Sequence, residues 1–226
     1  PKTPCRASPI YLKVRAGPGA VTGGTIHTTD AVAQQAQSDA LTAYNALFSL
    51  PYTADLTGQD LGTVGVLMPG VYHFDSTAQL TGTLTLDFAT DPDGYFVFQI
   101  GTALTTASDS VVDVLDGSPL SGVYWQVGSS ATLGTDTMFA GNILADQSIT
   151  LDTGADILCG RAIALEAAVT LDNNRISNNN TLQDFDTGRP DFGSYGFSGG
   201  LAFDDGGNVV PIPVPGALLL ACSGVG

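Results

Sequence analysis

The sequence predicts a mainly β protein, a β-solenoid with one long α-helix laid alongside, and three observations carry that expectation. One short phrase returns in nearly the same form: Gly82-Thr83-Leu84-Thr85-Leu86-Asp87, Ser130-Ala131-Thr132-Leu133-Gly134, Ser148-Ile149-Thr150-Leu151-Asp152 and Ala168-Val169-Thr170-Leu171-Asp172. A second, aromatic phrase occurs twice, as Tyr95-Phe96-Val97-Phe98-Gln99-Ile100 and Val123-Tyr124-Trp125-Gln126-Val127. The stretch Ala31 to Ser49 is rich in Ala, Gln and Leu and has no internal Gly or Pro.

The first phrase alternates small polar residues with aliphatic ones, the period of a half-buried strand. Thr85, Thr132, Thr150 and Thr170 hold the same place in it, and Thr105 fits between. A spacing near twenty residues is that of stacked solenoid coils. Stacking is expected to set these threonines in one column, about 4.8 Å apart. Such an array of hydroxyls and methyls suits a ligand that is itself a repeating surface. The two aromatic phrases lie 27 residues apart, the same offset as Thr105 to Thr132. Two phrases moving together place the aromatic strands on another face of the same coils, the one expected to lie under the helix.

Along the chain, residues 1–17 are basic, proline-containing and out of character with the rest of the sequence. They are read as an atypical N-terminal segment. Pro1 to Arg15 lacks the apolar core of a secretory leader, as in a processed or truncated product. Thr29 and Asp30 start the helix, at about 30–49, and Pro51 ends it. Ala33, Ala36, Ala40, Tyr44 and Leu47 recur at helical spacing, so one stripe is small enough for close approach to a sheet. About nineteen residues make a rod of roughly 28 Å, long enough to lie across about six strands. The solenoid unit is placed at 18–180. Residues 181–226 are read as an irregular tail, in which Pro211 to Leu220 form a proline hinge and a brief apolar run too short to span a bilayer.

Composition narrows the function. The 22 acidic side chains face only 7 basic ones, a net charge of −15. Such a body repels nucleic acid and anionic lipid and resists tight self-association, so a monomer is expected. Cys5, Cys159 and Cys222 match no metal or redox motif; Cys5 and Cys159 could pair in an exported chain. His27 and His73, the only histidines, sit where a turn or strand edge uses them structurally. Asp91 and Asp93 belong to an Asp-Pro-Asp-Gly turn. Asp109, Asp113 and Asp116 lack the Gly and Glu of a calcium loop. No catalytic residue, cofactor, metal or small-molecule substrate is expected.

The stretch from Gly24-Thr25-Ile26-His27 through Ser177 resembles the microbial ice-binding family with a discontinuous β-solenoid and a long flanking helix. Pro69-Gly70-Val71-Tyr72, Gln79-Leu80-Thr81-Gly82, Phe96-Val97-Phe98-Gln99-Ile100-Gly101 and Trp125-Gln126-Val127-Gly128 are among the phrases that carry the likeness, in family order. The resemblance implies an irregular triangular solenoid that adsorbs to ice. It also implies a secreted or cell-surface protein of a cold-living microbe, a bacterium by expectation. The expected ice-binding residues are Thr83, Thr85, Thr105, Ser130, Thr132, Ser148, Thr150 and Thr170, flanked by Thr106, Thr135, Asp152 and Thr153. Some family members carry a Thr-Ala/Gly-X-Thr/Asn motif on that face. Here Thr106-Ala107-Ser108-Asp109 and Thr153-Gly154-Ala155-Asp156 end in Asp, and moderate activity is expected. Val214-Pro215-Gly216 and the leucines after it resemble the front of a bacterial sorting signal. The alternative reading is an extracellular polysaccharide-binding adhesin or matrix module, which needs a row of exposed aromatic rings.

Overall fold

The computed structural model describes residues 26–117 and 121–177, together with strands at 201–203 and 209–211. The N-terminal segment 1–17, Cys5, Cys222 and the apolar run at 217–220 lie outside the described residues. The Cys5–Cys159 pairing therefore has only one described partner: Cys159 is buried in the core.

Helix α1 (Ala31–Ser49) starts and stops where its sequence dictates. The Asp30 carboxylate caps it, accepting from the Ala33 N–H at 2.9 Å, one of the donors that a helix start leaves orphaned. Leu50, forced out of helical geometry by Pro51, is extended at ψ 137°. The expected stripe faces inward: Ala33, Ala36, Ala40 and Tyr44 are half-buried and Leu47 is fully buried.

Among the described residues six coils come after the helix. Coil 1 holds β1 (Ala54–Asp55) and β2 (Val66–Leu67); coil 2 holds β3 (Gly70–Phe74), β4 (Ala78–Leu80) and β5 (Thr83–Asp87). Coil 3 holds β6 (Tyr95–Ile100), β7 (Leu104–Thr106) and β8 (Val111–Leu115). Coil 4 holds β9 (Gly122–Val127), β10 (Ala131–Leu133) and the first half of β11 (Met138–Ala145). The rest of β11, β12 (Ile149–Leu151) and the start of β13 (Asp156–Ala164) make coil 5, and the rest of β13 with β14 (Val169–Leu171) makes coil 6. Every pairing between coils is parallel and joins neighbours in chain order.

The result is a three-faced stack. The first face is β1-β3-β6-β9-β11-β13, the six strands that the helix length allows for. The second is the five-stranded sheet β4-β7-β10-β12-β14, and the third is β2-β5-β8-β11-β13. Strands β11 and β13 serve two faces because each bends partway along. In β11 the bend falls at Gly141, with φ 95° and a register shift; a Cβ there would collide with the Val123 carbonyl at 2.7 Å.

Val71, Val97, Tyr124 and Leu144 point outward from the first face and pack against Leu47, Ala43 and Tyr44 of α1. Inward from the same strands, the Phe98 ring stacks on Trp125 at 4.0 Å, and Trp125 meets Phe139 at 4.8 Å. The helix runs against the order of the coils. Near its start the Gln37 amide donates to the Leu165 carbonyl of coil 6 at 2.5 Å. At its end Gln99 of coil 3 donates to the Leu47 and Leu50 carbonyls at 2.7 and 2.8 Å. Within the C-terminal segment, read as irregular, β15 (Leu201–Phe203) and β16 (Val209–Pro211) pair antiparallel.

Candidate functional site

The second face is built from three-residue strands whose ends turn inward. In β7, β10 and β12 the first and third residues are buried and only the middle one reaches solvent. The ladder aligns these middle residues in register: Thr105 with Thr132, Thr132 with Thr150, and Thr150 with Thr170. Four of the expected threonines therefore form one column. Ser130 and Ser148, two residues earlier, form a second, with their hydroxyl oxygens 2.9 Å apart. Thr135 and Thr153 lie beyond the strands at the opposite border. Both are exposed, and the Asp136 N–H donates to the Thr153 carbonyl at 3.0 Å. The Thr153 hydroxyl donates to the Asp172 carboxylate. Half-buried Asp152 lies between the strand and this border. Members of one column are about 4.8 Å apart across coils, and columns two residues apart lie about 6.7 Å from each other along the strand, a two-dimensional grid of hydroxyls.

Three expected residues lie elsewhere. Thr83 and Thr85 belong to β5 on the third face, where Thr83 pairs with Val111 and Thr85 with Asp113. Their phrase has the alternation of the others but occupies a different side of coil 2. The outward residue of coil 2 on the hydroxyl face is Gln79, in register with Thr105, and sequence reasoning missed it. A signal existed: Thr105 and Thr132 each follow the Gln of an aromatic strand by six residues, and six residues after His73 is Gln79. Thr106 is the third correction. As an end residue of β7 it is buried, its hydroxyl 2.8 Å from that of Thr137 and accepting from the Gly134 N–H at 2.9 Å.

The third face is no second array. Thr83, Val111, Met138 and Asp156 occupy one of its rows, and Val66, Thr85 and Asp113 another. Hydroxyl, aliphatic, thioether and carboxylate groups succeed one another without a repeat.

The remaining polar candidates have architectural contacts. His73 Nε2 lies 2.9 Å from Asp75 Oδ1 while its ring stacks on Tyr52 at 4.8 Å. His27 Nδ1 lies 2.7 Å from the capping Asp30 carboxylate. That capping role, through the Ala33 N–H first and His27 second, holds the Asp30 carboxyl below its ordinary value. The Gly94 N–H donates to the Asp91 carbonyl at 3.0 Å, closing the expected turn. Among the described residues no group of His, Cys, Asp and Glu is arranged to hold a metal ion. The aromatic strands present no row of exposed rings: Phe96, Phe98 and Trp125 are fully buried, Tyr124 is nearly so and Tyr95 is half-buried.

Fold and face together define a six-coil parallel β-solenoid with one side covered by a helix and another lined with hydroxyls. The chain belongs to the ice-binding-like family, whose model matches residues 7–177. It is 58% identical over 161 residues to an ice-binding protein of Nostoc sp. (strain HG1), covering 71% of this chain and 59% of the relative. It is 36% identical over 151 residues to ice-binding protein 1 of Shewanella frigidimarina (strain NCIMB 400), covering 65% of this chain but 17% of that one. Among solved structures it resembles an ice-binding protein from the Antarctic ascomycete Antarctomyces psychrotrophicus, with a TM-score of 0.64 and 39% identity. That match covers 68% of this chain and 75% of the other. The Shewanella frigidimarina ice-binding domain gives a TM-score of 0.59 at 34% identity, covering 64% and 62%.

Proposed function

We propose that this chain adsorbs to ice through the outer side of the five-stranded sheet and so inhibits ice growth and recrystallisation. The observation that carries the reading is the register-aligned column Thr105, Thr132, Thr150 and Thr170 beside Ser130 and Ser148. Threonine methyls supply an apolar patch that loses little on dehydration, and the hydroxyls hold water at sheet-like intervals. Each contact is weak. They add up because the coils are already ordered, so adsorption costs little conformational entropy. No Lys or Arg interrupts these strands, and Thr135, Asp152 and Thr153 border them. Family membership and relatives named as ice-binding proteins support the same reading. It accommodates a monomer working outside the cell, with bacterial relatives among the similar proteins. The carbohydrate alternative loses its distinguishing feature with the burial of the aromatic strands.

Thermal hysteresis and crystal shape test the proposal, comparing wild type with Thr132→Tyr plus Thr150→Tyr. Faceted crystals and a hysteresis gap that the double variant loses are expected. A gap unchanged by both substitutions would move ice binding to another face, and round crystals with no gap in the wild type would refute it.

A further inference from the structure

The outward column is not uniform from end to end. Read from coil 1 to coil 6 it runs Asp60, Gln79, Thr105, Thr132, Thr150, Thr170, the first step being an isolated parallel bridge between Asp60 and Gln79. The two non-threonine members do different things. Asp60 is architectural: its Oδ1 accepts from the Gly62 N–H at 2.8 Å and the Thr81 N–H at 2.9 Å, tying coil 1 to coil 2. Gln79 instead reaches along the face, and its Oε1 accepts the Thr105 hydroxyl proton at 2.5 Å. Thr105 is thereby unlike Thr132, Thr150 and Thr170, whose hydroxyls have no protein hydrogen-bond partner among the described residues.

We infer that Gln79 is a positioning residue that sets the boundary of the ice-binding footprint and removes Thr105 from full participation in it. This rests on the ice-binding reading above. A hydroxyl carries one donor and two acceptor sites. With its proton committed to Gln79, Thr105 can only accept from surface water, whereas its three neighbours can both donate and accept. The Gln79 side chain also occupies the place where a fifth threonine would continue the lattice toward coil 1. The competent footprint is then coils 4–6, with coil 3 a partial member, and it lies toward one end of the solenoid.

The test is a set of hysteresis measurements on the full 226-residue chain at equal concentration. Gln79→Thr adds a fifth threonine and removes the amide that holds the Thr105 proton, so the footprint grows from three full members and a partial one to five, and the gap is expected to rise by about 1.25- to 1.7-fold if weak contacts add. Thr105→Val is expected to lose less than Thr132→Val. In a Gln79→Ala background, which releases the Thr105 hydroxyl, the Thr105→Val loss is expected to grow to the Thr132→Val level. A wild-type gap together with equal losses for Thr105→Val and Thr132→Val in both backgrounds overturns the inference and leaves ice binding intact. A gap lowered or unchanged by Gln79→Thr, in a variant that melts as the wild type does, also overturns it. Absence of any wild-type gap removes the ice-binding reading and this inference with it.

Discussion

Gln99 ties the helix to the solenoid, and replacing it separates stability from surface function. Its amide is buried and donates to the Leu47 carbonyl at 2.7 Å and the Leu50 carbonyl at 2.8 Å, with a longer contact of 3.3 Å to Phe48. These are carbonyls at a helix C-terminus, where the backbone offers the Leu47 carbonyl only a long contact of 3.4 Å from the Leu50 N–H. Gln99→Leu keeps most of the volume and removes the donor. A buried acceptor left unsatisfied costs about 1–3 kcal/mol. Leu47 is fully buried, while Leu50 is half-buried and can recruit water. The expected loss is therefore about 2–4 kcal/mol. For a domain of this size each kcal/mol lowers Tm by about 2–4 °C, so thermal unfolding followed by circular dichroism should move down by about 4–16 °C. Gln99→Glu should be worse, because it sets a carboxylate against the same carbonyls. Hysteresis is read near the freezing point, and the helix lies on a different face from the threonines. Both variants, where folded, should keep the wild-type gap. A Gln99→Leu melting point within about 2 °C of wild type would refute the assignment of Gln99 as the helix tether.

Other expectations rest on single contacts. Burial raises the Asp60 carboxyl, but hydrogen bonds from Thr81 and Gly62 outweigh it and the folded value lies below 3.8. The stabilisation is therefore fully present above the unfolded value and is lost as pH falls through the folded one; acid titration of the melting point should show this below about pH 4, and Asp60→Asn should flatten it. Gly160→Ala would drive a Cβ into the Gly141 carbonyl, whereas Gly58→Ala meets nothing and bears only the strain of φ 80°. Urea unfolding should find the first costing at least about 2–3 kcal/mol and the second about 1 kcal/mol. Trp125, the only tryptophan, is fully buried and donates to the Ala140 carbonyl at 3.0 Å. Its emission should be blue-shifted in the native state and move red in one step with the loss of the solenoid, and a native spectrum typical of exposed indole would contradict the packing.

Much of this architecture was readable because the coils reuse local patterns. The helix boundaries were legible in Asp30 and Pro51, since a carboxylate cap and a pre-proline residue act within a few bonds of themselves. The aromatic strands were legible as the helix-covered face because Val97 and Tyr124 alternate with Phe98 and Trp125 in one phrase. What alternation leaves open is which of three faces a strand occupies. Thr85 and Thr132 sit in the same binary pattern, yet one pairs with Asp113 and the other with Thr150. Period two reports that one side of a strand is buried and is blind to the position of the strand around the coil. Thr106 failed for a related reason: in a strand of three residues the second of two adjacent threonines must point inward, and its burial is tolerated only because Thr137 and Gly134 meet its hydroxyl.

The three faces differ in what their outward residues must match, and this explains why only one can carry a lattice. The helix face presents Val71, Val97, Tyr124 and Leu144 to a single partner of fixed shape, the stripe of α1. Its members can therefore vary in size so long as the helix side compensates. The third face has no such partner and no repeat among the described residues, so its carboxylates and aliphatics are constrained only to keep the sheet paired. A surface that adsorbs to a crystal is constrained differently, because each coil meets the same plane at the same height. That demands side chains of equal reach at equal intervals, and the register of Thr132, Thr150 and Thr170 satisfies it. Strand length contributes as well. In β10 and β12 three residues are too few to expose anything but the threonine, whereas β14, with no coil beyond it in its sheet among the described residues, leaves Leu171 partly open. Three-residue strands thus shape this face: within the stack they bury both neighbours of each threonine and leave its methyl and hydroxyl as the outermost groups of the strand.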